Sequence, residues 1–251
     1  MNVKKTIGSA GLIAFFAVLL LTGIGFMLAS MRPEDYRPYQ LTKELRQRQV
    51  AKFVNKHALP FRNNFIKPDS FNHTITEDEM NLYLASLDEI AQQRPDAGSE
   101  KSAVRENESV HDAMDKNGLA DPVVKFVDDK IRVMIRSKNH ADKIITLDIK
   151  MQLDDESKLK ISLDGVKIGR LPVPKSVVEA SLNLLRESLK DSENNTDFTS
   201  MENVIAKVFQ ALDDKPVETV LTLSKRSKKI SDIKIADGSL TIFYVPVSKS
   251  N

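Results

Sequence analysis

The sequence predicts an α+β protein in which an N-terminal transmembrane helix precedes a largely antiparallel, curved sheet packed on an apolar helix. Three observations lead to this prediction. The first 31 residues contain a long uncharged apolar run. Apolar and polar residues alternate with a period of two between residues 123 and 168, and residues 177–189 are strongly apolar. We therefore divide the chain into an anchor at 1–31, a juxtamembrane linker and helix at 32–70, and a single domain at 71–251.

The anchor prediction depends on the absence of charged residues from Thr6 to Met31. A transmembrane helix needs about 20 apolar residues, whereas the apolar part of a cleaved signal peptide has only about 7–15. We therefore favour an uncleaved, single-pass anchor. Arginines follow the span and lysines precede it, so counting positive charges does not decide the orientation. The short N-terminal tail favours a cytoplasmic N-terminus and an extracytoplasmic domain at the cell membrane.

The composition argues against several classes of protein. The net charge is +2, and Lys4 and Lys5 supply it, so the region after the anchor is neutral and has no global field to attract nucleic acid. The chain has no cysteine, which excludes disulfides, thiolate nucleophiles and cysteine-based zinc sites. No glycine-rich phosphate loop is present, and we expect no cofactor.

Four regions carry helical patterns. Residues 41–57 place apolar side chains roughly on one helical face and predict an exposed juxtamembrane helix. Thr76 and Glu79 form a capping box that starts a second helix. Two further capping boxes, at Ser176 and Thr199, precede an apolar helix at 177–190 and an amphipathic stripe from Met201 to Leu212. Residues 94–122 are polar, and we interpret them as an exposed insertion.

The strand patterns predict a sheet of about six or seven strands. At Asp164-Gly165 the apolar positions change parity, which indicates a β-bulge. Asp128-Asp129 and Asp237-Gly238 are turn signals, the second typical of a hairpin. The predicted strands are 123–127, 131–135, 145–153, 159–168, 217–223, 230–235 and 240–247.

No catalytic or metal-binding constellation emerges from the sequence. The four histidines are far apart in the chain, and we interpret each as an ordinary surface or helix-flank residue. The acidic pairs fall at expected turns and do not match a calcium loop. The apolar helix and the last strand, which is apolar on both faces, instead suggest a ligand groove. Its candidate residues are Val178, Leu182, Leu185, Leu189, Phe243 and Val245.

A basic cluster near the C-terminus is the strongest concentration of positive charge. We interpret it as the tip of a hairpin. Two interpretations are open. The cluster is a solvated turn that discourages edge pairing, or it contacts anionic lipid headgroups or envelope polymer. The candidate contact residues are Lys225, Arg226, Lys228 and Lys229.

The chain resembles the YpmS-like family of membrane-anchored bacterial proteins. The resemblance is carried by the N-terminal anchor, residues 71–86 with their Ile-Thr-Glu-Asp-Glu-Met-Asn-x-Tyr-Leu core, the strand that begins Pro122-Val-Val-Lys-Phe, and residues 166–174 leading into a helix. It extends loosely from residue 1 to about 247, and residues 94–122 and 225–229 depart from it. It implies an extracytoplasmic domain and carries over no catalytic residue. A curved sheet around a helix is also similar to tubular lipid-binding folds, an analogy of fold alone.

These observations leave two leading functional hypotheses. The first is a non-enzymatic envelope protein that binds lipid or another hydrophobic ligand in a groove between sheet and helix. The second is an interaction module of a cell-envelope complex that uses the helix at 41–57 or the insertion at 94–122. A hydrolase of envelope polymer is a third, weaker hypothesis, because nothing places two carboxylates in one cleft.

Overall fold

A computed structural model describes residues 20, 22–92, 110–178, 216–223 and 226–247. These residues form an α+β fold with two antiparallel sheets and several helices, which confirms the predicted class. The number of sheets was not predicted. Instead of one sheet, nine strands divide into a five-stranded and a four-stranded sheet within the described part of the chain.

The described N-terminal residues include a helix at 22–30, which we call α1. None of the helices within the described ranges is long and apolar enough to cross a bilayer. Residues 1–19 and 21 of the predicted anchor lie outside those ranges, so the transmembrane anchor stays a prediction.

The juxtamembrane helix is longer than predicted. It comprises α2 (Lys43–Phe53), a π-helical turn (Val54–Ala58) and α3 (Leu59–Ile66), joined without a break. The side chain of Thr42 accepts a hydrogen bond from Leu45 N and caps the first turn. Proline in a helix lacks the donor N–H and its ring crowds the carbonyl four residues earlier. Pro60 therefore gives a local reason for the wider π turn before it.

A short strand and three helices follow. β1 (Phe71–Thr76) alternates partly buried and exposed residues and leads directly into α4 (Glu77–Leu84). The capping box between Thr76 and Glu79 is confirmed in both directions. The remaining two helices are α5 (Leu87–Gln92) and α6 (Val110–Lys116).

The five-stranded sheet is an antiparallel meander in the order β2-β3-β4-β5-β6. Asp128 and Asp129 both adopt left-handed backbone conformations in the turn between β2 and β3, as the turn signal indicated. A 3₁₀ turn (Lys138–His140) joins β3 and β4. The strands are β2 (Leu119–Val127), β3 (Lys130–Ser137), β4 (Lys143–Leu153), β5 (Leu159–Ile168) and β6 (Leu171–Pro172).

The four-stranded sheet has the order β1-β9-β8-β7. Its C-terminal strands are β7 (Val220–Leu223), β8 (Arg226–Ala236) and β9 (Ser239–Pro246). Gly238 has a φ of 79° in the turn between β8 and β9, which confirms the predicted hairpin. The sequence did not predict β1, because His73 interrupts the apolar alternation between Phe71 and Ile75. It pairs with β9 along its whole length.

The core lies where one face of the four-stranded sheet packs against β2 and β3. α4 covers this core with Met80 and Leu84. The central buried side chains are Val124, Phe126, Ile235 and Leu240. A second cluster lies on the opposite face of the five-stranded sheet and comprises Tyr36, Val123, Met134 and Ile144.

Two predicted segments fall mainly outside the described residues. The apolar helix at 177–190 is described only as far as Val178, and the stripe at 201–212 is not described. Within the predicted insertion, residues 110–122 form α6 and the beginning of β2, so β2 begins four residues earlier than the predicted strand at 123.

Candidate functional site

One face of β4 and β5 is apolar and only partly buried. Strand alternation brings five apolar residues of β4 to this face, and antiparallel register pairs each of them with an apolar residue of β5. Nine of these ten side chains are half-buried, and Ile168 is exposed. We call this surface the β4–β5 strip. Its pairs are Ile145–Ile168, Leu147–Val166, Ile149–Leu163, Met151–Ile161 and Leu153–Leu159.

The strip is continuous because β5 contains a bulge. The register shifts between Asp148 and Ile149, where Asp148 pairs with Gly165 and Ile149 pairs with Leu163, so Asp164 is the extra residue. A bulge returns side chains of different parity to one face. The predicted bulge is therefore confirmed, and it keeps Val166 on the same face as Leu163. At about 3.4 Å per residue, the strip is about 27 Å long.

Among the described residues, the four-stranded sheet packs over Ile131 and Val133 of β3, which contact the main core, and its strand β8 also approaches β4. The side chains of the strip nevertheless remain partly exposed along its whole length. A partly exposed Leu or Ile forgoes a minor part of the about 1.5–3 kcal/mol that complete burial would supply. The exposed part of the strip could therefore bury further apolar surface against a bound hydrocarbon chain.

The N-terminal segment docks at one end of the strip. Gly169 N donates to Ile144 O at 2.7 Å, and Arg170 N donates to Leu28 O at 2.8 Å. The carbonyl oxygens of Leu28, Ala29 and Met31 lie 2.5–2.7 Å from the position that a Cβ on Gly169 would occupy. Glycine is therefore required for this close approach. The junction places Ile145 and Ile168, the first pair of the strip, beside the end of α1.

The linker that follows α1 crosses the polar face of the same sheet. Tyr36 is buried against this face, and its hydroxyl donates to Asp121 O at 2.9 Å. Burial and the negative charge of Asp121 raise the pKa of Tyr36 to about 12, so the phenol stays protonated. This contact fixes the linker to β2 and β3.

A cleft of about 410 Å³ lies between the linker and this polar face. Arg132 donates to both oxygens of Asp148, at 2.6 and 3.3 Å, and lies 3.5 Å from Asp35. Lys167 lies 4.0 Å from Asp148, and Arg170 lies 2.8 Å from Glu34. Each cation thus faces a carboxylate. The charges balance, which suits a structural junction better than an anion-binding site.

Two histidines come together between the juxtamembrane helix and β1, contrary to their predicted interpretation as ordinary, separate residues. His57 is only 4% exposed, and its Nδ1 lies 3.2 Å from Nε2 of His73. The spacing of 16 residues gave no signal, because the chain reverses between α3 and β1. Aromatic rings of α2, α3 and α4 contact the pair, namely Phe53, Phe61 and Tyr83.

Glu79 connects this histidine pair to α4. Its Oε2 lies 3.6 Å from His57 Nε2 and accepts a hydrogen bond from Thr76 N, while its Oε1 binds Lys56. Burial alone would raise the pKa of Glu79, but the hydrogen bonds from Lys56 and Thr76 outweigh it and lower the pKa to about 2. Glu79 is therefore a carboxylate at neutral pH. Burial and this charge raise the pKa of Tyr83 to about 12.

The predicted ligand groove stays a prediction, because three of its six candidate residues lie outside the described part of the chain. Leu182, Leu185 and Leu189 lie outside the described residues, and Val178 is half-buried at the last described residue of its segment. Phe243 and Val245 alternate with Ile242 and Tyr244 on β9. Because Leu240 and Ile242 face the core, Phe243 and Val245 lie on the outer face of the four-stranded sheet, away from the β4–β5 strip.

The basic cluster is only partly a surface feature. Lys225 lies outside the described residues, and the other three residues belong to the beginning of β8, where Arg226 pairs with Leu223 of β7 beside the predicted hairpin tip. Arg226 is exposed and Lys229 is half-buried, whereas Lys228 is 1% exposed. Lys228 donates to Asp69 O and lies 5.0 Å from the ring centre of Phe71. Its charge is therefore directed inward, and an anionic surface could meet only Arg226 and Lys229 among the described members.

Among the described residues, no group of three or more His, Asp or Glu side chains has the arrangement of a metal site. Comparison of the chain with known protein families, with curated proteins and with solved structures gives no match. The resemblance to the YpmS-like family stays a prediction. The candidate site consequently depends on the geometry of this chain alone.

Proposed function

We propose that the protein is a non-enzymatic, membrane-anchored envelope protein whose extracytoplasmic domain binds the hydrocarbon chain of a lipid along the β4–β5 strip. The observation that carries this proposal is the row of ten apolar side chains of which none is fully buried. The strip replaces the groove predicted from Val178 and Phe243 as the place where a hydrophobic ligand would lie.

The position of the strip favours a lipid as its occupant. Its first pair, Ile145 and Ile168, adjoins the residues that hold the end of α1. If residues 1–31 cross the bilayer, this end of the strip lies at the membrane surface, and the strip leads away from it. An acyl chain leaving the bilayer would then pass directly onto an apolar surface about 27 Å long.

The alternative is an interaction module that would use the outer face of the helix at 41–57, where most side chains are exposed. The inner face of this helix packs on the domain, since Val50 is fully buried and Phe53 packs edge-on against Tyr83 of α4 at 4.8 Å. A catalytic function also finds little support in the histidine pair, because aromatic rings enclose His57 and no substrate could reach it.

Photolabelling of the full-length protein tests the proposal. The chain would be purified in detergent, mixed with phosphatidylcholine carrying a diazirine on one acyl chain, irradiated, digested and mapped by mass spectrometry. We expect labelled peptides from β4 and β5 in addition to those from residues 1–31. Leu147→Asn should reduce labelling of β4 and β5 by up to about fivefold, since the exposed part of this side chain supplies at most roughly 1 kcal/mol of apolar contact.

Lys150→Asn is the matched control, because Lys150 lies on the same strand but on the opposite face. It should leave the labelling unchanged. Labelling confined to residues 1–31, with β4 and β5 unlabelled in the unmodified chain, would contradict the proposal and show that something other than lipid covers the strip.

A further inference from the structure

We propose that the contact between His57 and His73 is a pH-sensitive latch that holds the juxtamembrane helix on β1 at neutral pH and loosens it in mild acid. This latch would act independently of the proposed lipid binding. It lies between the helix that follows the predicted anchor and the body of the domain.

The geometry of the pair permits only some protonation states. The two facing nitrogens, Nδ1 of His57 and Nε2 of His73, are 3.2 Å apart, so one must donate a proton and the other must accept it. If both rings were cationic, two N–H groups would point at each other across this distance. The contact must then break, because His57 is buried and has no room to turn toward water.

The surrounding charges accommodate one positive ring and not two. From its own helix Lys56 approaches the site, and from α4 come Glu79 and the phenol of Tyr83. On β9, Tyr244 packs edge-on against Phe61, which itself contacts His73. Glu79 is the sole carboxylate among these groups, and Lys56 and Thr76 already occupy its oxygens. A second imidazolium would therefore lack a free counter-charge.

The direction of the pH effect follows from His73. Burial and repulsion from His57 lower its pKa below the ordinary value of 6.5, although Glu79 partly opposes this. The open state therefore binds a proton more readily than the closed state. The latch is at full strength above pH 6.5 and weakens as the pH falls toward the lowered pKa. Glu79, with a pKa of about 2, adds a further loss only below about pH 4.5.

Hydrogen–deuterium exchange of the full-length protein in detergent, at pH 7.5 and 5.5, tests the latch. After correction for intrinsic rates, we expect the opening constant of amides in residues 54–66 to rise up to about tenfold at pH 5.5. Amides of β3 and β4 should not change. His73→Gln keeps a hydrogen-bonding partner for His57 but cannot titrate, so it should abolish the pH dependence.

His140→Gln is the matched control, because His140 is exposed and contacts only Ser137 among the described hydrogen bonds. It should retain the unmodified response. An unmodified chain whose helix opens equally at both pH values would overturn the proposal, as would a pH response that survives in His73→Gln. If that variant does not fold, the comparison of pH values in the unmodified chain decides alone.

Discussion

Replacing Asn81 with leucine is expected to lower the free energy of unfolding by about 2–6 kcal/mol. Asn81 is 5% exposed, and its amide accepts a hydrogen bond from Val124 N at 2.7 Å and donates to Val124 O at 2.8 Å. A second donated bond reaches Glu77 O at 2.9 Å. The side chain thus forms hydrogen bonds with the backbone at the outer edge of β2, as a neighbouring strand would.

Leucine has nearly the same shape but cannot form these bonds. Two buried backbone groups of Val124 would remain unpaired, and each costs about 1–3 kcal/mol. Urea unfolding of the full-length chain, followed by circular dichroism, measures the effect. Asn63→Leu is the control, because Asn63 is exposed. A loss below about 1 kcal/mol would mean that water replaces the amide, and the proposed importance of Asn81 would be wrong.

Gly169→Ala is expected to destabilise the chain more than the same change at another left-handed glycine. Gly169 and Gly238 have φ values of 58° and 79°, so alanine costs roughly 1–2 kcal/mol at either position. A Cβ at Gly238 would meet no atom within 4 Å, whereas one at Gly169 would meet three carbonyl oxygens of residues 28–31. Those oxygens belong to backbone and cannot turn away.

We therefore expect Gly169→Ala to cost about 1–3 kcal/mol beyond the control Gly238→Ala. The end of α1 should also separate from the sheet, so limited proteolysis should cleave residues 32–38 faster in Gly169→Ala alone. Equal unfolding free energies and equal cleavage rates for the two variants would show that the approach of α1 to Gly169 is not important for stability.

Local patterns predicted much of this fold. The period-two alternation in residues 131–168 identified β3, β4 and β5, and the change of parity at Asp164 identified the bulge. The capping box at Thr76 predicted the first residue of α4 correctly. These features are decided by neighbours in the chain, so the sequence is sufficient to show them.

Contacts between distant residues were not predictable in the same way. The capping box predicted α4 but not the role of Asn81, whose partner is 43 residues away. In the sequence, a polar residue of a helix resembles a solvent-facing one. His57 and His73 likewise required the reversal between α3 and β1. Lys228 was grouped with surface charges because its carbonyl partner, Asp69, lies 159 residues earlier.

The juxtamembrane helix contacts the rest of the domain through buried residues at three places along its length. Its segments of 11, 5 and 8 residues form one rod, about 36 Å long at 1.5 Å per residue. Val50, in its first third, and Phe65, next to its last residue, are fully buried, and His57 lies between them. Loss of the contact between His57 and His73 in acid would let the middle of the helix bend while Val50 and Phe65 stay packed. The connection between the predicted anchor and the sheet would then become more flexible while remaining intact.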